Sequence, residues 1–119
     1  MKLSLLVFSV LLSSSVFAAP CAETQKELYA IATDRYRLGE LYTDDVALVQ
    51  LDYLKARLKC QKGDAYNNKL IYCWEARWAA RLIYESVQSL AEKGSKTTED
   101  VLKAKLIGEQ IDEECKVIR

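Results

Sequence analysis

The chain has no histidine, a single proline at Pro20 and only four glycines. Without imidazole it lacks the commonest general base and the commonest nitrogen ligand for a metal. Neither a Gly-rich phosphate loop nor a C-x-x-C pair occurs, so nucleotide cradling and a compact thiolate metal site both lack a motif. Seventeen basic residues are matched by seventeen acidic ones, which gives a nucleic acid or an anionic membrane surface no electrostatic reason to bind. Acidic clusters do occur, but Asp44-Asp45 suits a helix N-terminus and Asp112-Glu113-Glu114 suits a solvated helix face. No catalytic site, cofactor or metal is therefore expected.

What is present begins with an export signal. Met1-Lys2 is a short positive start, Leu3 to Leu12 an apolar run broken by Ser4 and Ser9, and Ser13 to Ala18 a polar-to-small exit. Residues 1–18 are read as a cleaved signal peptide, with cleavage after Ala19 as the second choice. The apolar run is about half of the roughly 20 residues a spanning helix needs, which argues against an anchor. Pro20 stands where a lipid-attachment site before Cys21 would want a small residue. The expected location is outside the cytoplasm, the periplasm first and the extracellular medium as the alternative. Residues 19–119 then suit one small domain with no transmembrane segment. All four cysteines, Cys21, Cys60, Cys73 and Cys115, fall in this part, and an even number in an oxidising compartment predicts two disulfides.

Apolar residues form stripes at steps of three and four rather than two, so the expected fold is all-α. The first stripe reads Cys21, Thr24, Leu28, Ile31, Arg35, Leu38, and the second Val46, Val49, Tyr53, Ala56, Cys60. The third is Cys73, Ala76, Ala80, Ile83, Val87, Leu90, and the fourth Val101, Ala104, Gly108, Ile111, Cys115, Ile118. Gly39 and Gly94 stand where a left-handed residue ends a helix, Thr43 and Thr97 or Thr98 where a cap starts the next, and Asp64 caps a third helix from about Ala65 to Glu92. These signals predict two antiparallel helical hairpins, about 21–60 and 65–118, closing into a coiled-coil-like four-helix bundle with the cysteines in one layer.

The hairpin is duplicated. Gly39, Asp45, Val46, Leu51 and Cys60 are matched at equal spacing by Gly94, Asp100, Val101, Leu106 and Cys115, and Cys21 matches Cys73 with a three-residue difference at the tip. Cys21 lies 18 residues before Gly39 and Cys60 lies 17 after Thr43, so the two sit opposite each other in an antiparallel hairpin. The favoured pairing is Cys21–Cys60 with Cys73–Cys115. Cys60–Cys73 with Cys21–Cys115 is the competitor. Each favoured bridge closes a loop of about 40 residues, worth roughly 3 to 4 kcal/mol in the chain-entropy account.

The run Arg35-Tyr36-Arg37-Leu38-Gly39, then Asp45-Val46, Gln50 and Ala56, with Gly94, Thr97, Asp100-Val101-Leu102 and Ala104 as a second copy, resembles the tip hairpins of outer-membrane efflux proteins of the TolC family. The resemblance implies a periplasmic tip that docks an envelope or efflux adaptor protein, with Tyr36, Gly39 and Gly94 as tip residues. The chain departs from that family in lacking β-barrel strands and tunnel-length helices, and in carrying cysteines at the hairpin bases.

Two surfaces are candidates for a partner: the tips, with Tyr36, Gly39, Leu41 and Gly94, and a patch on the third helix formed by Trp74, Arg77, Trp78, Arg81 and Leu82. Trp and Arg are the types most enriched at interface hot spots. A further stripe on the second helix, Ala47, Leu51, Leu54, Leu58, makes that helix more central than the fourth, where only Leu102 and Leu106 precede Glu109 and Glu113. The sequence thus predicts a non-enzymatic protein-interaction module. The alternatives are a structural or self-assembling bundle, in which the partner is a second copy, and a small secreted inhibitor or carrier.

Overall fold

A computed structural model describes residues 21–117; the expected signal peptide and Ile118 lie outside the described residues. The described chain is four α-helices, α1 Glu23–Arg37, α2 Thr43–Cys60, α3 Ala65–Glu92 and α4 Thr98–Glu114. No strand occurs among the described residues.

The two tips are built alike. At the first, Gly39 takes φ 79°, which lets Glu40 N–H reach back to Arg35 O at 2.9 Å and Gly39 N–H to Tyr36 O at 3.0 Å. At the second, Gly94 takes φ 83°, with Ser95 N–H on Leu90 O at 2.8 Å. Both are glycine-terminated helix ends in which the 6→1 bond satisfies an orphan carbonyl.

The starts differ by one residue from expectation at α2. Tyr42, not Thr43, is the N-cap, and its N–H donates to Asp45 Oδ2 at 2.8 Å. Thr43 is the first helical residue. At α4, Thr97 caps: Asp100 N–H donates to Thr97 Oγ1 at 3.2 Å and Thr97 N–H to Asp100 Oδ2 at 2.9 Å, a reciprocal pair. These bonds hold the Asp100 carboxyl below its ordinary range. Asp64 caps α3 as expected, accepting from Tyr66 and Asn67 N–H.

The disulfides join Cys21 to Cys60 and Cys73 to Cys115, with Cα–Cα distances of 5.6 and 5.8 Å. The first joins the two ends of its hairpin, and the second joins Cys73, about two turns inside α3, to Cys115 just past the end of α4. Between hairpins, Asp44 of α2 meets Ser86 of α3 while Arg57 meets Glu75, so α2 and α3 also run antiparallel.

Backbone contacts run in chain order only: α1 with α2, α2 with α3, α3 with α4. A closed four-helix bundle needs α1 against α4, and no such contact exists among the described residues. The arrangement is an open array, with α2 and α3 inside and α1 and α4 at its edges.

The core explains the order. Ala47, Leu51 and Leu54 of α2 join Cys73, Ala76, Ala80, Ile83 and Val87 of α3 and Ala104, Ile111 and Cys115 of α4 in one apolar cluster, which contains no residue of α1. The α2 stripe expected to make that helix central is therefore the one that seats it on the second hairpin. The stripe expected for α1 is not buried. Leu28, Ile31 and Leu38 are 53, 54 and 73% exposed, while Ala32 is the buried residue of α1. A helix with one neighbour can bury only one row, and the Cys21–Cys60 bridge and the stack of Tyr29 on Tyr53, 6.1 Å between ring centroids, turn that row to Ala32.

Candidate functional site

On α3, the buried row Cys73, Ala76, Ala80, Ile83 fixes which residues point away, because positions a half-turn round the helix face the opposite side. Trp74 and Trp78 stand there one turn apart, 80 and 55% exposed. Leu70 and Ile71, also exposed, continue the row toward the N-terminus of α3, and Tyr66 begins it. The guanidinium of Arg81 lies 5.7 Å from the Trp78 ring centroid and pairs with Glu85 at 2.9 Å. Such a row of exposed aromatic and aliphatic residues beside an arginine is uncommon on a surface without a partner.

Not every member of the sequence-defined patch faces outward. Arg77 turns toward α4, where its Nη2 donates to Cys115 O at 3.0 Å and its Nε lies 3.6 Å from Asp112. It satisfies a carbonyl at the C-terminal end of α4, a position that favours a cation. Leu82 packs against the core. Trp74, Trp78 and Arg81 therefore form the outward patch, while Arg77 and Leu82 support the fold. A shallow groove beside the tryptophans is lined by Gln50 of α2 and by Glu75, which is bound to Arg57.

The tips form a second surface at the other end of α3. Trp78 and Leu90 are separated by about 18 Å at 1.5 Å per residue, so tips and tryptophan row are distinct. The first tip is apolar: Tyr36, Leu38 and Tyr42 are 46, 73 and 55% exposed, and Leu41 is half-buried against it. The second, Gly94-Ser95-Lys96, carries no large apolar side chain. The duplicated backbone turn thus bears different chemistry in its two copies.

Between α1 and α2 runs an open groove whose lining includes Leu28, Ile31, Leu41, Leu48 and Val49, with Asp45 and Asp52 on its rim. Nothing in the sequence stripes pointed to it, because the residues that line it on α1 were expected to be core.

One polar site was missed. Asp44 is 2% exposed, accepts from Ser86 Oγ at 2.8 Å, offers its own N–H to Ser86 Oγ at 3.2 Å and lies 3.7 Å from Lys96 Nζ. It ties α2, α3 and the second tip together. The one available signal was redundancy: Asp45 alone completes the cap, leaving Asp44 without a local task. Lower down, Tyr72 OH donates to Glu114 Oε1 at 2.8 Å, and burial, helped by that carboxylate, raises the phenol above its ordinary pKa.

No group of three or more Asp, Glu, Cys or His side chains able to hold a metal occurs among the described residues, and no helix there is long and apolar enough to cross a membrane. No protein family, curated protein or solved structure matches the chain.

Proposed function

We propose that this chain is an exported, non-enzymatic helical module that binds another protein through the outer face of α3. The observation that carries the reading is the row Trp74 and Trp78, 80 and 55% exposed on the side of α3 opposite its buried residues. A tryptophan held on a disulfide-braced helix loses little freedom on binding and brings a large apolar area, so it suits the centre of an interface. Export rests on the signal-like N-terminus and on two disulfides, which persist in oxidising compartments.

The test is the double substitution Trp74→Ser with Trp78→Ser. Both side chains lie outside the core, so the variant keeps its helicity and its melting temperature to within a few degrees, while affinity for the envelope protein that the wild type binds falls at least tenfold. A variant that binds as the wild type does removes this face from consideration.

A second reading is favoured by the first tip, where Tyr36, Leu38 and Tyr42 are exposed together. Here the tip docks an envelope or efflux adaptor, as the resemblance to TolC-like hairpins implies. Tyr36→Ser with Tyr42→Ser then abolishes binding, and the tryptophan variant does not.

A further inference from the structure

The internal repeat predicts a binding partner for the groove between α1 and α2. Within the chain, the α2 row Ala47, Leu51, Leu54 shares one buried cluster with Ala76, Ala80, Ile83 and Val87 of α3. The repeat places Leu102, Leu106 and Glu109 of α4 at the positions of Ala47, Leu51 and Leu54, and Leu28 and Ile31 of α1 at those of Ala80 and Ile83. Both halves of the inner interface therefore have counterparts, one on each edge of the array. The inner set is buried: Ile83 is 1% exposed, Ala80 6% and Leu51 3%. Their counterparts are open: Ile31 is 54%, Leu28 53% and Leu106 50% exposed.

We propose that a second copy of this chain fills the groove, its α4 edge seating on the first hairpin as α2 seats on the second hairpin within one chain. Charge agrees with that occupant. The groove lining carries Asp45 and Asp52 together with Arg35, which is paired with Glu40, and on α4 the exposed Lys105 stands beside Leu106 while Lys103 pairs with Glu99. The contact joins two different surfaces, so it is heterologous and leaves a free edge at each end. It is also short, because Glu109 and Glu113 replace the leucines at the positions of Leu54 and Leu58. Association is accordingly weak and salt-sensitive. It is independent of the proposed α3 interface, since the tryptophan row takes no part.

Sedimentation equilibrium of the oxidised protein tests this. The expected result is a weight-average mass that rises with concentration and falls back toward the monomer in high salt. Ile31→Asp and Leu106→Asp each alter an exposed residue and each abolish the rise, with circular dichroism unchanged; Leu28→Ser and Leu102→Ser serve as the second pair if an aspartate reduces helicity. Mixing Ile31→Asp with Leu106→Asp restores one intact contact and yields a complex that stops at two chains. A wild type that stays monomeric throughout, or a mixture of the two variants that does not associate, overturns the proposal.

Discussion

At the residue scale, Asp44 shows how one side chain settles the geometry of two hairpins. A buried carboxylate is tolerated only when it is hydrogen-bonded and paired: Ser86 Oγ donates to it, the Asp44 backbone N–H in turn donates to that hydroxyl, and Lys96 supplies the opposite charge. Asp44→Ala is expected to lower stability by about 3 kcal/mol, read by urea unfolding, because it leaves Ser86 and Lys96 without their partner. Gly39 and Ala22 make an opposed pair. Gly39 at φ 79° meets nothing within 4 Å where a Cβ would stand, so Gly39→Ala costs only backbone strain, about 1 kcal/mol. Ala22 already sits at φ 61°, and Ala22→Gly is expected to leave stability unchanged or raise it by up to about 1 kcal/mol in the same assay. Tyr72 predicts an alkaline effect. Its folded pKa is raised above the ordinary 10.0, so its contribution is complete below that value and is lost as pH rises through the folded pKa. Tyr72→Phe removes that part of the alkaline loss in a pH titration of the unfolding midpoint.

At the element scale, the sequence made the helices legible and hid how they face one another. Helix ends were readable because Gly39, Gly94, Asp64 and Thr97 act through local backbone bonds. The α2 cap moved by one residue because Asp45 can bond the Tyr42 N–H without a hydroxyl on the cap itself. The facing of α1 was hidden for a different reason. A stripe at steps of three and four says which residues could be buried, not whether a neighbour exists to bury them, and α1 has only α2. That isolation gives a prediction about the bridges. Cys73 and Cys115 are fully buried, whereas Cys60 is exposed and Cys21 half-buried. Mild thiol treatment followed by alkylation and peptide mass mapping is expected to label Cys21 and Cys60 well before Cys73 and Cys115. Loss of the first bridge loosens α1 alone, seen as faster amide exchange over Glu23–Arg37 with α3 and α4 unchanged.

At the scale of the whole molecule, the four helices run in chain order over one core and leave four apolar surfaces uncovered among the described residues: the outer row of α3, the first tip, the Leu102–Leu106 edge of α4 and the α1–α2 groove. A closed bundle could hide the last of these inside one chain; an open array cannot. The tryptophan patch was legible from composition because Trp and Arg at helical spacing stand out in any sequence. The inward turn of Arg77 was not, since it depends on where the Cys115 carbonyl lies in space. The groove was legible only once burial separated two copies of the repeat that read alike as sequence: Ile31 and Ile83 occupy matching positions, and only Ile83 is covered.

Binding through the outer face of α3 is tested most directly by site-specific photo-crosslinking in the native envelope, with the probe placed in turn at Trp74, Leu41 and Lys96, and mass spectrometry of the adduct. One defined partner protein is expected to be captured from Trp74, lost when Trp78→Ser is added, and none from Lys96 on the polar second tip. Capture confined to Leu41 transfers the function to the first tip, and no adduct of another protein from Trp74 contradicts binding through the outer face of α3.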